Sequence, residues 1–197
     1  MRLRLTATST EIANAINDFP AEYHRDYSEV RPIARRWIAE EQPAAALSRE
    51  LSSAVGCVLA RFGAGRRGAP TLRCEEAFAI SFVDGRLHSD MVKLFKMSEA
   101  GLGLDAECRR LANGSHVPTA LEDFDDALLS VLREISQRLF VDNSNVTYPT
   151  KALLLISGLM PALDNRVRAG LGRAGFSGVK KLSFSFLLTR RVPMERS

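Results

Sequence analysis

A mainly α-helical fold, built as a compact multi-helix domain, is what this chain predicts, on three observations. Leu47, Leu51, Val55, Val58 and Phe62 recur every three or four residues, as do Leu121, Phe124, Leu128, Val131, Ile135 and Leu139. Apolar residues at that spacing share one helix face and call for burial against a neighbour. Two capping boxes, Thr8 with Glu11 and Thr119 with Glu122, stand ahead of apolar runs. Residues 182–188 alternate like a short C-terminal strand, yet could continue the helical fold. The 197 residues suffice for a core of their own and predict a single domain spanning 1–197, with two helical lobes as the alternative.

Local signals predict the elements in turn. The Thr8 box opens a short helix that stops near Phe19-Pro20. A polar-aromatic link over residues 23–27 follows, carrying Tyr23, His24 and Tyr27. Ser28 is then expected to cap a helix with Val30, Ile33 and Trp37 inside and Arg31, Arg35 and Arg36 on a solvated face. Pro43 restarts the chain, and the helix of Leu47 to Phe62 ends at Gly63.

Residues 63–70 form a glycine-rich loop. No Lys-Ser/Thr pair follows its glycines and no apolar strand precedes it, so it lacks the pattern of a phosphate-cradling loop. A mobile surface connection is expected, with Arg66 and Arg67 in reach of a polyanion. Residues 74–83 suit a helix or a short strand, and Asp84-Gly85 reads as a turn. Ser89 is expected to cap a helix with Met91, Leu94 and Phe95 that Gly101 closes. Asp105 is expected to cap another, ending at Asn113-Gly114. The Thr119 box opens the most strongly periodic helix; Glu122, Asp123, Asp125 and Asp126 lie in its first turn, where carboxylates complement the dipole rather than build a metal site. A polar turn at 142–145 leads to a helix capped by Thr150 and running to about Met160. Pro161 then forces a turn, and Asp164 caps the next helix.

Charge is distributed unevenly. The chain carries 27 Lys/Arg and 23 Asp/Glu, a formal charge of +4 and a pI near 9.2. From residue 151 onward there are nine Lys/Arg against two Asp/Glu, which leaves 18 and 21 for the first 150 residues. A basic end with Asp164 isolated among cations points to an anionic partner held near a single acid.

Other chemistries find no support in the pattern. Cys57, Cys74 and Cys108 are odd in number and widely spaced, as reduced cytoplasmic thiols would be, and give no zinc spacing. His24, His88 and His116 form no ligand pattern, with His88 and His116 expected in loops. No Gly-x-Ser-x-Gly elbow occurs. No metal or other cofactor is expected. The N-terminus has charge but no apolar core of a secretory signal, and no apolar run approaches a membrane span, so a cytoplasmic protein without a membrane partner is expected. Nothing indicates the oligomeric state.

Lys151 and Asp164 remain. A helix–turn–helix returns the chain on itself between them, bringing a lysine near one helix start and an aspartate at the next to one cleft. The segment Pro161-Ala-Leu-Asp164-Asn-Arg-Val167-Arg-Ala-Gly-Leu171 resembles the stretch after the hairpin in helix-hairpin-helix DNA glycosylases, where an aspartate follows a short apolar turn and opens a helix. Lys151 with its apolar helix resembles the lysine-bearing helix leading to that aspartate. The likeness covers about 30 residues. The Leu-Pro-Gly-Val-Gly hairpin is replaced by Val146-Thr-Tyr-Pro-Thr150. Lys151 precedes Asp164 by only 13 positions, and no four-cysteine cluster signature occurs.

The resemblance implies a DNA glycosylase, a hydrolase that flips a damaged or modified base from duplex DNA and leaves an abasic site. Bacterial antiphage glycosylases acting on modified phage cytosine are one branch it points to. Asp164 is then the catalytic carboxylate, with Lys151 a phosphate contact or an attacking amine; the missing hairpin favours a monofunctional enzyme. Thr150, Arg166, Arg168, Arg173, Lys180 and Lys181 are the candidate DNA contacts, and Tyr148, Trp37 and Tyr27 the candidate base-pocket aromatics. Beside these readings stand plainer ones. An aspartate before a helix is a common cap, worth about 1 kcal/mol, and aromatics at helical spacing commonly pack in cores. The alternative function is a non-catalytic nucleic-acid-binding or toxin–antitoxin-type accessory protein. A third is a protein-interaction module with solvated basic faces.

Overall fold

A computed structural model of the chain describes residues 21–98, 103–104, 110–111, 118–141, 146–159 and 162–173, with Thr10 and Asn14 helical ahead of them. Seven helices make up most of these residues: α1 Ala21–Ala39, α2 Ala45–Arg61, α3 Glu75–Val83, α4 Arg86–Ser98, α5 Pro118–Leu139, α6 Thr147–Ser157 and α7 Asn165–Arg173. Among the described residues, strand pairing is limited to β1 Gly103–Leu104 against β2 Arg110–Leu111, antiparallel, and one bridge between Leu72 and Phe140. The mainly helical class follows from the two long periodic faces. Leu47, Leu51, Val55 and Val58 of α2 and Val131, Ile135 and Leu139 of α5 are all buried.

One hydrophobic cluster draws on α1 to α6. Helices α1, α2 and α6 pack against one another, α5 lies between α4 and α6, and α3 closes on α2 and α5. Trp37 sits at the centre, fully buried, with its indole N–H donating to Ser48 Oγ at 3.1 Å. The His88 ring meets it edge-on at 4.7 Å and bonds the Trp37 carbonyl at 2.9 Å. His88 is therefore a satisfied core histidine on α4, not a loop residue. Its aromatic and carbonyl partners both come from α1, which no local pattern around His88 announces.

Several boundaries differ from those read in the sequence. Helix α1 begins at Ala21 and includes residues 23–27, so Ser28 is interior and no link precedes it. Asp26 explains the difference: its buried carboxylate accepts from Arg61 at 2.5 Å, pinning the early turns of α1 to the end of α2. Arg31 is buried rather than solvated, because its guanidinium reaches the Ile156 carbonyl at the C-terminal end of α6. Helix α4 starts at Arg86, a turn before Ser89, since the Asp84 side chain accepts from the Arg86 amide at 3.1 Å and supplies the cap itself.

The ambiguous 74–83 segment is helical, with Phe78 and Phe82 buried. Of the helix expected from Asp105 to Asn113, Arg110 and Leu111 are extended instead, pairing antiparallel with Leu104 and Gly103; its other residues lie outside the described ones. Helix α5 takes Pro118 as its first residue, where the missing N–H costs nothing, so Thr119 lies inside it. The four carboxylates of 122–126 accordingly fall beyond its first turn. The Thr8 and Glu11 capping box, the Phe19-Pro20 stop, Gly101, the 142–145 turn, Pro161 and residues 182–188 lie outside the described residues. Helix α6 ends at Ser157, short of Met160, because Gly158 adopts φ +71° and turns the chain away.

Candidate functional site

The corner between α6 and α7 is assembled from two threonines. Thr150 was expected to cap α6, yet it lies within the helix and is fully buried. Its hydroxyl donates to the Thr147 carbonyl at 3.0 Å and accepts from the Leu163 amide at 2.9 Å. Thr147 Oγ1 in turn donates to the Leu163 carbonyl at 3.2 Å. Both polar groups of Leu163 are thus held by the first turn of α6, and the next residue, Asp164, is set beside that turn.

Asp164 does cap its helix. Its Oδ1 accepts from the amides of Arg166 and Val167, each at 2.9 Å, as an N-cap carboxylate should. Among the described residues, both hydrogen bonds to this side chain fall on Oδ1, leaving Oδ2 uncommitted. Arg168 closes the corner from α7, donating to Asn165 Oδ1 at 2.6 Å and to Thr147 Oγ1 at 3.3 Å.

Lys151 emerges one position after Thr150, half-buried. Its ammonium stands 4.8 Å from the Tyr148 ring centroid and 5.2 Å from that of Phe62, on a shelf of two aromatic faces. Burial lowers the pKa of this amine, and the charge of Asp164 partly offsets the effect. The two residues singled out by sequence therefore lie within electrostatic reach of each other. Tyr148 is buried with its hydroxyl donating to the Phe62 carbonyl at 3.0 Å; burial raises its pKa while the nearby Arg66 charge opposes the rise. Phe62 and Arg66 belong to the turn after α2, so that turn forms a wall of the corner.

The remaining candidates divide. Arg166 and Arg173 are exposed on α7. Thr150, expected to touch DNA, has no exposed surface and its hydroxyl serves Leu163, so it shapes the corner instead. Trp37 is removed from the base-pocket set for the same reason: it is sealed in the core. Tyr27 is partly exposed but lies at the far end of α6, beside Gly158. An 11-residue helix puts it roughly 16 Å from the corner. Lys180 and Lys181 lie outside the described residues.

Phe62 is the neighbour of this corner that the sequence did not reveal, since its partner Tyr148 is 86 positions away. A groove of about 1060 Å³ between α2 and α3 is lined by Ala46, Arg49, Ser53, Gly56, Cys57 and Phe78 among others, without Lys151, Tyr148 or Asp164. Among the described residues no group of three His, Cys, Asp or Glu side chains is arranged to hold a metal ion, and no helix is long and apolar enough to cross a membrane. Comparisons of the chain with family models, with curated proteins and with solved structures find no match.

Proposed function

We propose that the Lys151–Asp164 corner is the reaction centre of a DNA glycosylase-like enzyme. It hydrolyses the N-glycosidic bond of a flipped-out damaged or modified base, with modified phage cytosine as one candidate. The observation that carries this reading is the pairing itself. A carboxylate whose orientation is fixed by two backbone N–H groups acts through its charge on a partly desolvated amine that stands on an aromatic shelf.

Breaking the bond between the base and the deoxyribose C1′ builds positive charge on the sugar. Oδ2 of Asp164, which accepts no hydrogen bond among the described residues, is suited to stabilise that charge and to orient the water that attacks. The water delivers hydroxide to C1′, and its proton goes to the departing base. Lys151 supplies a cation to the phosphate beside the flipped nucleotide, with Arg166, Arg168 and Arg173 extending the grip along α7. Extruding the base costs a few kcal/mol of stacking, offset by contacts in the pocket and along the backbone.

A second reading has its own support. The two 2.9 Å bonds to Asp164 account for its position as a cap without any chemistry, which favours a nucleic-acid-binding accessory protein using the same basic surface. Asp164→Asn separates the two, because asparagine caps a helix about as well as aspartate. Wild type and variant are incubated with plain and base-modified phage DNA, and alkali-labile breaks are counted beside binding affinity. The enzyme reading expects breaks from wild type that the variant loses while still binding. Tight binding by both with no abasic sites on either DNA supports the accessory role.

A further inference from the structure

The turn following α2 carries Arg66 and Arg67 in a stretch, residues 63–73, that contains no carboxylate. The arginines on either side of the pair are already engaged. Arg61 bonds Asp26 at 2.5 Å and Glu29 at 3.2 Å, and Arg73 donates to the Gln137 carbonyl at 2.8 Å. Arg66 and Arg67 are exposed, and neither has a carboxylate partner among the described residues.

The turn holding them is closed on itself. The Gly65 amide donates to the Pro70 carbonyl at 2.9 Å, the Arg66 amide to Gly63 at 3.1 Å and the Ala69 amide to Arg66 at 2.9 Å. Gly63, Gly65 and Gly68 take the positive φ these bonds require. A preformed turn presents its side chains at little further ordering cost, in contrast to the mobile connection its composition suggests.

Its placement gives the exposed cations a direction. A Cβ on Gly63 would come within 3.3 Å of Tyr148 Oη and 3.5 Å of Arg66 Cδ. Arg66 therefore flanks the phenol end of the ring whose face carries Lys151. With Arg166 and Arg168 across the corner on α7, cations from two separate elements border one site.

We infer that the 62–70 turn is a second phosphate grip of this site, with Arg66 as its principal contact and Arg67 beside it, holding the backbone of a polynucleotide whose other side rests on α7. The inference rests on the nucleic-acid reading above and adds to it an element without catalytic duty.

The test uses the full chain and a fluorescent DNA duplex, with anisotropy titrations repeated across salt from about 50 to 200 mM. Arg66→Ala should reduce the slope of log affinity against log salt by about 0.9 and weaken binding roughly threefold to tenfold at low salt, whatever the sequence of the duplex. Arg66→Lys should restore the slope, and Arg36→Ala, which removes a surface pair with Glu50, should leave it alone. A wild-type slope in Arg66→Ala overturns the inference. Base release by wild type together with that unchanged slope sinks the turn's role while sparing the enzyme. A reduced slope without any base release does the reverse, and wild-type binding that is weak and indifferent to salt overturns both.

Discussion

The Lys151 ammonium lies over the face of Tyr148, three residues earlier on α6, at 4.8 Å from the ring centroid. Residues three apart share a helix face, so the contact follows from local geometry. Phe62, at 5.2 Å, arrives from α2 and deepens the burial. Cation–π attraction favours the charged amine here, yet loss of water opposes it more strongly, and the net pKa shift is downward.

That direction sets a pH dependence. Folding disfavours the protonated Lys151, so its penalty is complete below the folded pKa and disappears as pH climbs from there to the ordinary value of 10.5. Stability contributed at this site therefore rises with pH over that window. Tyr148 acts with the opposite sign, because its raised pKa makes folding lose stability as pH passes above the ordinary 10.0. Lys151→Met keeps most of the stem and removes the charge. Urea midpoints of wild type and variant should converge as pH approaches 10.5; parallel curves would refute the burial of this amine.

Thr150→Val tests the frame of the corner. The substitution nearly preserves shape but takes away the acceptor of the Leu163 amide, bonded at 2.9 Å. Leaving that amide without its partner should cost about 1–3 kcal/mol in urea denaturation. Thr150→Ser should recover most of the loss. Because Leu163 positions Asp164, the valine variant should also shift the pH profile of any base release.

Gly158→Ala probes the opposite end of α6. Its φ of +71° is unfavourable for alanine, and the added Cβ would meet Tyr27 Oη at 2.7 Å. Backbone strain alone should cost roughly 1–2 kcal/mol. Adding Tyr27→Phe should relieve the steric part, so the double variant should be more stable than the single one by thermal denaturation. Equal melting temperatures would show that the tyrosine moves aside freely.

Much of the helical layout was legible because it is a matter of short-range periodicity. The α2 and α5 faces, the stop at Gly63, the Asp84-Gly85 turn and the Asp164 cap each rest on residues a few positions apart. The structure departs from the local pattern where a distant partner decides the outcome. Arg61 draws Asp26 inward and lengthens α1. Ile156 draws Arg31 out of solvent. Trp37 encloses His88, and Leu163 recruits Thr150 from within the first turn of α6.

Sequence alone determined which segments coil into helices, because apolar spacing and capping chemistry act within a turn or two. It also determined the charge imbalance and the short loop that lets Asp164 approach Lys151. Tertiary structure decided which polar groups are enclosed and which remain free to meet a ligand. It set Phe62 against Tyr148 of α6 across 86 positions of chain, brought Arg66 beside the same ring, and withdrew Trp37 and Thr150 from the surface. Burial and electrostatic neighbourhood depend on distances in space, and those exist only once the helices have packed.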